Sequence, residues 1–325
     1  MEQEFFEQRT DLSGLNEAVE QIRSNIGRIV IGQHNLIELL IASILANGHV
    51  LIEGVPGVAK TLTAKLLAKC VDAQFSRIQF TPDLMPSDVL GTSIFHPQQG
   101  IFEYKKGPVF GNIVLVDEIN RAPAKTQAAL FEVMEERQVT MDGVTYPMEE
   151  PFIVLATQNP VEQEGTYRLP EAQLDRFLFK IEVGYPSLVE ETQLLTLHHR
   201  LSTDEKLLDA KPVLNIQQIQ QFRNTVKNLH VEEKLLEFVA KIVYQTRNNK
   251  ALFLGGSPRA SLAIINSAKA IAAISNRDFV TPEDIIKVAP PVLRHRIMLT
   301  PEKEMEGITP DDIIRQLIKN IEVPR

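Results

Sequence analysis

Gly54-Val55-Pro56-Gly57-Val58-Ala59-Lys60-Thr61 carries the reading from which the rest of the chain is understood. It follows a short apolar run, His49 to Glu53, and opens a helical pattern, Lys60 to Cys70. A strand, a glycine-rich loop and a Lys-Thr pair at the start of a helix form a phosphate-binding loop. In such a loop, backbone N–H groups and the helix N-terminus attract the phosphates. Lys60 would reach the β- and γ-phosphate oxygens, and the Thr61 hydroxyl would hold Mg²⁺. The bland alternative, a glycine-rich turn that binds nothing, requires neither the strand nor the Lys-Thr pair. Ala59 stands where the pattern has glycine. Its methyl is tolerable if the backbone there stays at negative φ.

Around this loop, four further apolar runs read as strands: Phe75 to Phe80, Ile113 to Val116, Phe152 to Ala156 and Leu178 to Val183. Most are apolar throughout rather than alternating, as strands buried on both faces are. Helical patterns such as Ala124 to Glu136 lie between them, which predicts a parallel sheet covered by helices. Before the loop, Leu15, Val19, Ile22 and Ile26 mark one amphipathic helix, and Ile37, Leu40, Ile41 and Ile44 a second. Two stretches read as inserted β-hairpins: Thr92 to Tyr104, and Val139 to Tyr146 around Asp142-Gly143. These are either surface insertions or levers that touch a substrate or a neighbour. After Pro186 the strand signal stops. Ser187 can cap a helix to about Arg200, and Leu201 to Pro212 reads as a linker. Helices then follow, with Ser257-Pro258, Thr281-Pro282 and Thr309-Pro310 as capping starts. The expected layout is an α/β domain over 1–187, with a five-stranded parallel sheet, and an all-helical domain over 188–325.

Ile113-Val114-Leu115-Val116-Asp117-Glu118 is an apolar strand ending in two acids, which is costly unless something pairs with them. A Mg²⁺ ion at Thr61 would be that partner. Asp117 would then bind the metal, directly or through water, and Glu118 would polarise the attacking water as general base. Phe152 to Thr157 is followed by Gln158-Asn159-Pro160. Asn159 could position the lytic water, or the segment could be a plain turn, since Asn-Pro favours one.

Together these segments resemble the MoxR family of AAA+ ATPases. The resemblance rests on GVPGVAKT at 54, IVLVDEINRAPAKTQAALFEVMEERQVT at 113, FIVLATQNPVEQEGTYRLPEAQLDRF at 152, GGSPRA at 255 and VLRHRI at 292. It implies an AAA+ phosphate-loop core with a helical lid. It implies ATP hydrolysis to ADP and phosphate, with Mg²⁺, to remodel or mature partner proteins. Asn159 resembles the sensor-1 residue, and Arg176 the arginine finger that reaches a neighbouring subunit's nucleotide. Arg259 resembles the sensor-2 arginine of the lid. By its residues alone Arg259 could equally be a solvated cation in the first turn of its helix, where it opposes the dipole. Ile31, Gly32 and Gln33 resemble a segment lining the adenine pocket. The implied nucleotide contacts are these three with Gly54, Val55, Pro56, Gly57, Val58, Ala59, Lys60, Thr61, Leu62 and Arg259; Thr61 and Asp117 are the metal side. Arg168 stands where many relatives have proline and receives no role. Arg294 and Arg296 are read as a basic helix terminus. The resemblance also implies a hexameric ring and a partner carrying a von Willebrand factor A domain. That partner is expected to be a separate protein, because 325 residues leave no room for it beside two domains.

Composition bounds the remaining choices. Lys plus Arg number 34 and Asp plus Glu 42, a net charge of −8, which disfavours broad attraction to nucleic acid or anionic membrane. Cys70 is the sole cysteine, so no internal disulfide can form, and it reads as core packing. The start of the chain lacks the basic-then-apolar order of a signal peptide, and Leu36 to Ala46 is too short for a bilayer. A cytoplasmic protein is expected. His198-His199 are adjacent, so a helix points them apart, and exposed histidines are expected rather than a metal site. The alternatives kept open are a magnesium-chelatase-type ATPase subunit and a nucleic-acid-dependent motor. A small-molecule kinase and a nonhydrolysing switch suit Asp117-Glu118 less well.

Overall fold

The computed structural model describes residues 10–159, 167, 169–200 and 211–324, the side chains of 198–200 apart. The N-terminal nine residues, Pro160, Arg168, the His198 and His199 side chains and most of the linker reading lie outside the described residues. The chain divides into two compact units. One is Ile22–Ile219; the other joins Gln220–Arg325 to the described residues up to Gln21. Contacts therefore divide the chain elsewhere than at 187/188.

In the first unit, β1 (His49–Gly54), β2 (Phe75–Gln79), β5 (Ile113–Asp117), β8 (Ile153–Gln158) and β9 (Phe177–Val183) form one sheet in the order β2-β5-β8-β1-β9. All four pairings are parallel. β5 and β8 lie inside the sheet, and Ile113 to Asp117 and Ile153 to Thr157 are buried. β2 lies at an edge, which explains why its sequence is half polar and only Ile78 is buried. Helices α2 (His34–Leu45), α3 (Lys60–Cys70) and α5 (Ala124–Glu136) belong to this unit with the short α4 (Pro86–Leu90) and α6 (Glu171–Leu174), and with α7 (Leu188–Arg200). Phe80, Leu130, Phe131, Val154 and Phe177 share one core cluster. Fully burying such a side chain is worth about 1.5–3 kcal/mol, which makes the sheet a stiff base for the loops at its ends.

Both expected hairpins form. β3 (Gly91–His96) pairs antiparallel with β4 (Ile101–Lys106), and β6 (Gln138–Met141) with β7 (Val144–Pro147). Asp142 (φ +52°) and Gly143 (φ +78°) give the second its tight turn. Ser187 and Glu190 cap α7 reciprocally: Ser187 N–H donates to Glu190 Oε2 at 2.7 Å, and Glu190 N–H to Ser187 Oγ at 3.4 Å.

α1 (Ser13–Gly27) opens the described chain, and α8 (Ile216–Lys227) contains the division between the units. The start of α1 belongs to the second unit because Asn16 Nδ2 donates to Asn276 Oδ1 at 2.9 Å and to Ala273 O at 3.3 Å. The rest of that unit is α9 (Glu233–Arg247), α10 (Pro258–Ile274), α11 (Pro282–Leu293), α12 (Pro301–Met305) and α13 (Pro310–Lys319). It also holds a short antiparallel pair, β10 (Leu252–Leu254) with β11 (Met298–Leu299), amid its helices. Thr309 caps α13 as expected, accepting from Asp312 N–H at 3.3 Å. Ser257 occupies the N-cap of α10 but makes no side-chain capping bond. The Arg294 and Arg296 terminus is built into the fold. Arg294 forks onto Asp311 at 3.0 and 2.7 Å, and Arg296 Nη1 donates to Val292 O at 2.5 Å.

Candidate nucleotide site

Three strands end side by side. Glu53 aligns with Gln158 across β1 and β8, and Val116 with Ala156 across β5 and β8. The loop from Val55 to Ala59, the acids Asp117 and Glu118, and Asn159 are therefore brought together at one end of the sheet. In open parallel sheets the crevice beyond the C-terminal strand ends is where ligands bind.

Gly57 has φ +86°, and a side chain there would meet open space. Backbone conformation, not crowding, requires glycine at that point. Ala59 lies in the left-handed region, at φ +60°, ψ +20°. Negative φ, the condition on which the methyl would be tolerated without strain, is therefore not met. The Ala59 carbonyl receives both the Thr63 N–H and the Thr63 hydroxyl at 2.9 Å, closing the first turn of α3 from a left-handed residue. That geometry costs an L-residue about 1–2 kcal/mol. Lys60 Nζ donates to Gly54 O at 2.5 Å, folding the ammonium back over the loop. Burial lowers the Lys60 pKa, and the carboxylates of Asp117, Glu118 and Glu53 oppose that shift. Thr61 and Leu62 are half-buried in the first turn of α3, Val58 is buried, and Pro56 is exposed.

Asp117 is buried at the tip of β5, and Glu118 follows it at φ +57°. A non-glycine residue held there is strained, and such strain clusters at functional sites. The surroundings of the acids contain residues that sequence reasoning missed. Arg77 Nε donates to Asp117 Oδ2 at 2.6 Å, and Gln79 Nε2 to Glu118 Oε2 at 2.7 Å. Arg121 Nε lies 3.2 Å from Glu118 Oε2. The Thr157 hydroxyl accepts from Glu118 N–H at 3.0 Å and donates to Asp117 Oδ1 at 3.2 Å. A signal existed for two of these: in Phe75-Ser76-Arg77-Ile78-Gln79, polar Arg77 and Gln79 alternate with apolar Ile78, placing them on one face. Asn159 is buried just beyond β8.

Arg176 is not brought to this end. It precedes Phe177, which aligns with His49 at the start of β1. Its Nη1 donates to Phe131 O, and its Nε lies 3.7 Å from Glu135 Oε2, both on α5. Ile31, Gly32 and Gln33 lead into α2. Gly32 (φ +79°) faces Glu190, whose carboxyl carbon a Cβ would approach to 2.6 Å. Arg259 lies exposed in the first turn of α10, in the second unit.

Residues 49–179 match the family described as ATPase family associated with various cellular activities (AAA), and residues 244–317 match the AAA lid domain. The chain is 48% identical over 310 residues to YeaC, an uncharacterized protein of Bacillus subtilis, covering 95% of each. It is 44% identical to Chaperone MoxR1 of Mycobacterium tuberculosis, over 94% of this chain and 82% of that one. A crystal structure of a candidate ATPase from Cytophaga hutchinsonii superposes with a TM-score of 0.88 at 41% identity, covering 96% of this chain and 97% of the other. With its strand order, phosphate loop and lid, the chain belongs to the MoxR family of AAA+ ATPases.

Proposed function

We infer that this protein hydrolyses ATP to ADP and phosphate to remodel or mature partner proteins, in the manner of a chaperone. The observation that carries this reading is the gathering of Lys60, Asp117, Glu118 and Asn159 around the C-terminal ends of β1, β5 and β8. The donor set fits a nucleoside triphosphate. It offers an ammonium folded over the loop, a helix N-terminus, and turned backbone at Gly57 and Ala59. The roles proposed are phosphate contact for Gly54 to Leu62, metal-side binding for Thr61 and Asp117, and base for Glu118. Asn159 would orient the attacking water. Bound Mg²⁺ would neutralise charge on the phosphate oxygens. Ile31 to Gln33 would line the base pocket, and Arg259 would act from the lid.

The functional division proposed is a nucleotide-binding domain over 1–187 and a lid over 188–325; the lid match at 244–317 supports the latter. A hexameric ring, with Arg176 serving the neighbouring subunit, is part of the proposal. So are a cytoplasmic location and a separate partner with a von Willebrand factor A domain. Among the described residues, no helix is long and apolar enough to cross a membrane. The magnesium-chelatase-type and nucleic-acid-motor readings are weaker: the likeness to Chaperone MoxR1 spans nearly the whole chain, and the net charge is −8.

The test is Glu118→Gln. This variant should still bind ATP and hydrolyse it about 10²–10⁴-fold more slowly, the contribution of a general base. Turnover within twofold of wild type would reject the assignment, and affinity capture on the trapped form would identify clients.

A further inference from the structure

Both oxygens of the buried Asp117 carboxylate have donors. Oδ1 receives the Thr157 hydroxyl at 3.2 Å, and Oδ2 receives Arg77 Nε at 2.6 Å. The second donor is a full cation. It also connects the two acids, since Arg77 Nη2 donates to Gln79 Oε1 at 3.3 Å and Gln79 donates to Glu118 at 2.7 Å. The pair is asymmetric. The Arg77 side chain is 48% exposed on an edge strand, and that of Asp117 only 10%. Arg77 can leave for water without stranding a buried charge, whereas the buried carboxylate is costly unless a cation or other donors face it.

We propose that Arg77 is a positioning residue whose ion pair with Asp117 competes with a divalent cation for that carboxylate and opens when Mg²⁺ and ATP bind. The proposal rests on the reading of Asp117 as the metal-side acid. Thr157, being neutral, can stay on Oδ1 through the exchange. Arg77 thus keeps the Asp117 carboxylate oriented, and it raises the Mg²⁺ concentration needed for loading.

The test is a titration of the full-length protein with a fluorescent ATP analogue, first in EDTA and then across a Mg²⁺ series. The proteins compared are wild type, Arg77→Gln, Arg77→Lys and Asp117→Asn, each checked for folding by thermal melting. Arg77→Gln should lower the Mg²⁺ concentration at half-saturation about two- to fivefold, as expected for release of a partly exposed ion pair. Its affinity in EDTA should stay unchanged. Arg77→Lys, which keeps the charge without the fork, should fall between Arg77→Gln and wild type; it carries the test if Arg77→Gln folds poorly. A Mg²⁺ requirement that is unchanged or raised in these variants overturns the proposal, as does weaker binding in EDTA, which would make Arg77 a phosphate contact. Asp117→Asn reports on the underlying reading separately. It must raise the Mg²⁺ requirement, and if it does not, the metal-side role of Asp117 fails and the competition with it.

Discussion

The Thr157 hydroxyl stands 3.2 Å from Oδ1 of Asp117 and takes the Glu118 N–H at 3.0 Å, so one buried side chain on β8 orients both acids at the end of β5. Thr157→Val keeps the shape and removes both bonds. The Glu118 N–H then lacks its acceptor, a loss worth about 1–3 kcal/mol for a buried group. Thermal melting should show that destabilisation. Turnover of the folded protein should fall by about 10–10²-fold, because small displacements of reacting groups are expensive. Thr157→Ser should restore most of both. Full activity in Thr157→Val would show that the acids orient themselves.

Ala59 provides a prediction of opposite sign. At φ +60° an alanine carries about 1–2 kcal/mol of strain that glycine does not. Glycine gains unfolded-state entropy worth about 0.4–1 kcal/mol, which offsets part of the relief. Ala59→Gly should therefore raise the melting temperature slightly and leave ATP affinity intact. A clear drop in melting temperature would mean that the methyl group stabilises the loop by more than the strain costs.

The contrast between these two residues shows what the sequence could disclose. The strand runs were legible because burial on both faces of a parallel sheet demands continuous apolar residues, as at Ile113 to Val116. Ala59 was visible as a departure, but the sign of its φ is set by the path of the loop into α3, which the residue types alone do not disclose. Arg77 and Gln79 were visible as polar residues on a strand. Their partners were not, because the β2–β5 pairing joins residues some 38 positions apart, Arg77 beside Leu115 and Gln79 beside Asp117. β10 and β11, of three and two residues, are too short to show a period.

Cys70 should be inert in the folded protein. It is fully buried at the end of α3, and burial pushes its thiol up to about 11, against smaller opposing effects of Asn25 and Lys69. The thiolate is the reactive form, so at pH 8 little of it exists and none is accessible. Alkylation by iodoacetamide should be slow in native buffer and fast in denaturant. Rapid labelling of the native protein would reveal local opening of the α3 terminus.

The last prediction concerns Arg176 and Lys60. Phe177 aligns with His49 and Val183 with Gly54, so Arg176 and the phosphate loop flank opposite ends of the β1–β9 pair. Six residue steps at about 3.3 Å each separate those ends by roughly 20 Å. An arginine side chain cannot cover that distance within its own subunit. If Arg176 stabilises the transferring phosphoryl group, it must do so for a neighbour, and it must first leave Phe131 O and Glu135, which hold it against its own α5. Arginine fingers contribute about 10³–10⁵ in rate. Arg176→Ala should therefore bind ATP normally and turn it over very slowly, and wild-type turnover per subunit should rise with protein concentration until rings saturate. Mixing tests whether Arg176 serves the neighbour's site. Arg176→Ala supplies an intact phosphate loop, and Lys60→Ala supplies an intact arginine. In a mixed ring some interfaces join the two intact halves, and activity should partly return. Failure to recover activity, with mixed rings verified by native mass spectrometry, would leave Arg176 with only its structural contacts to α5.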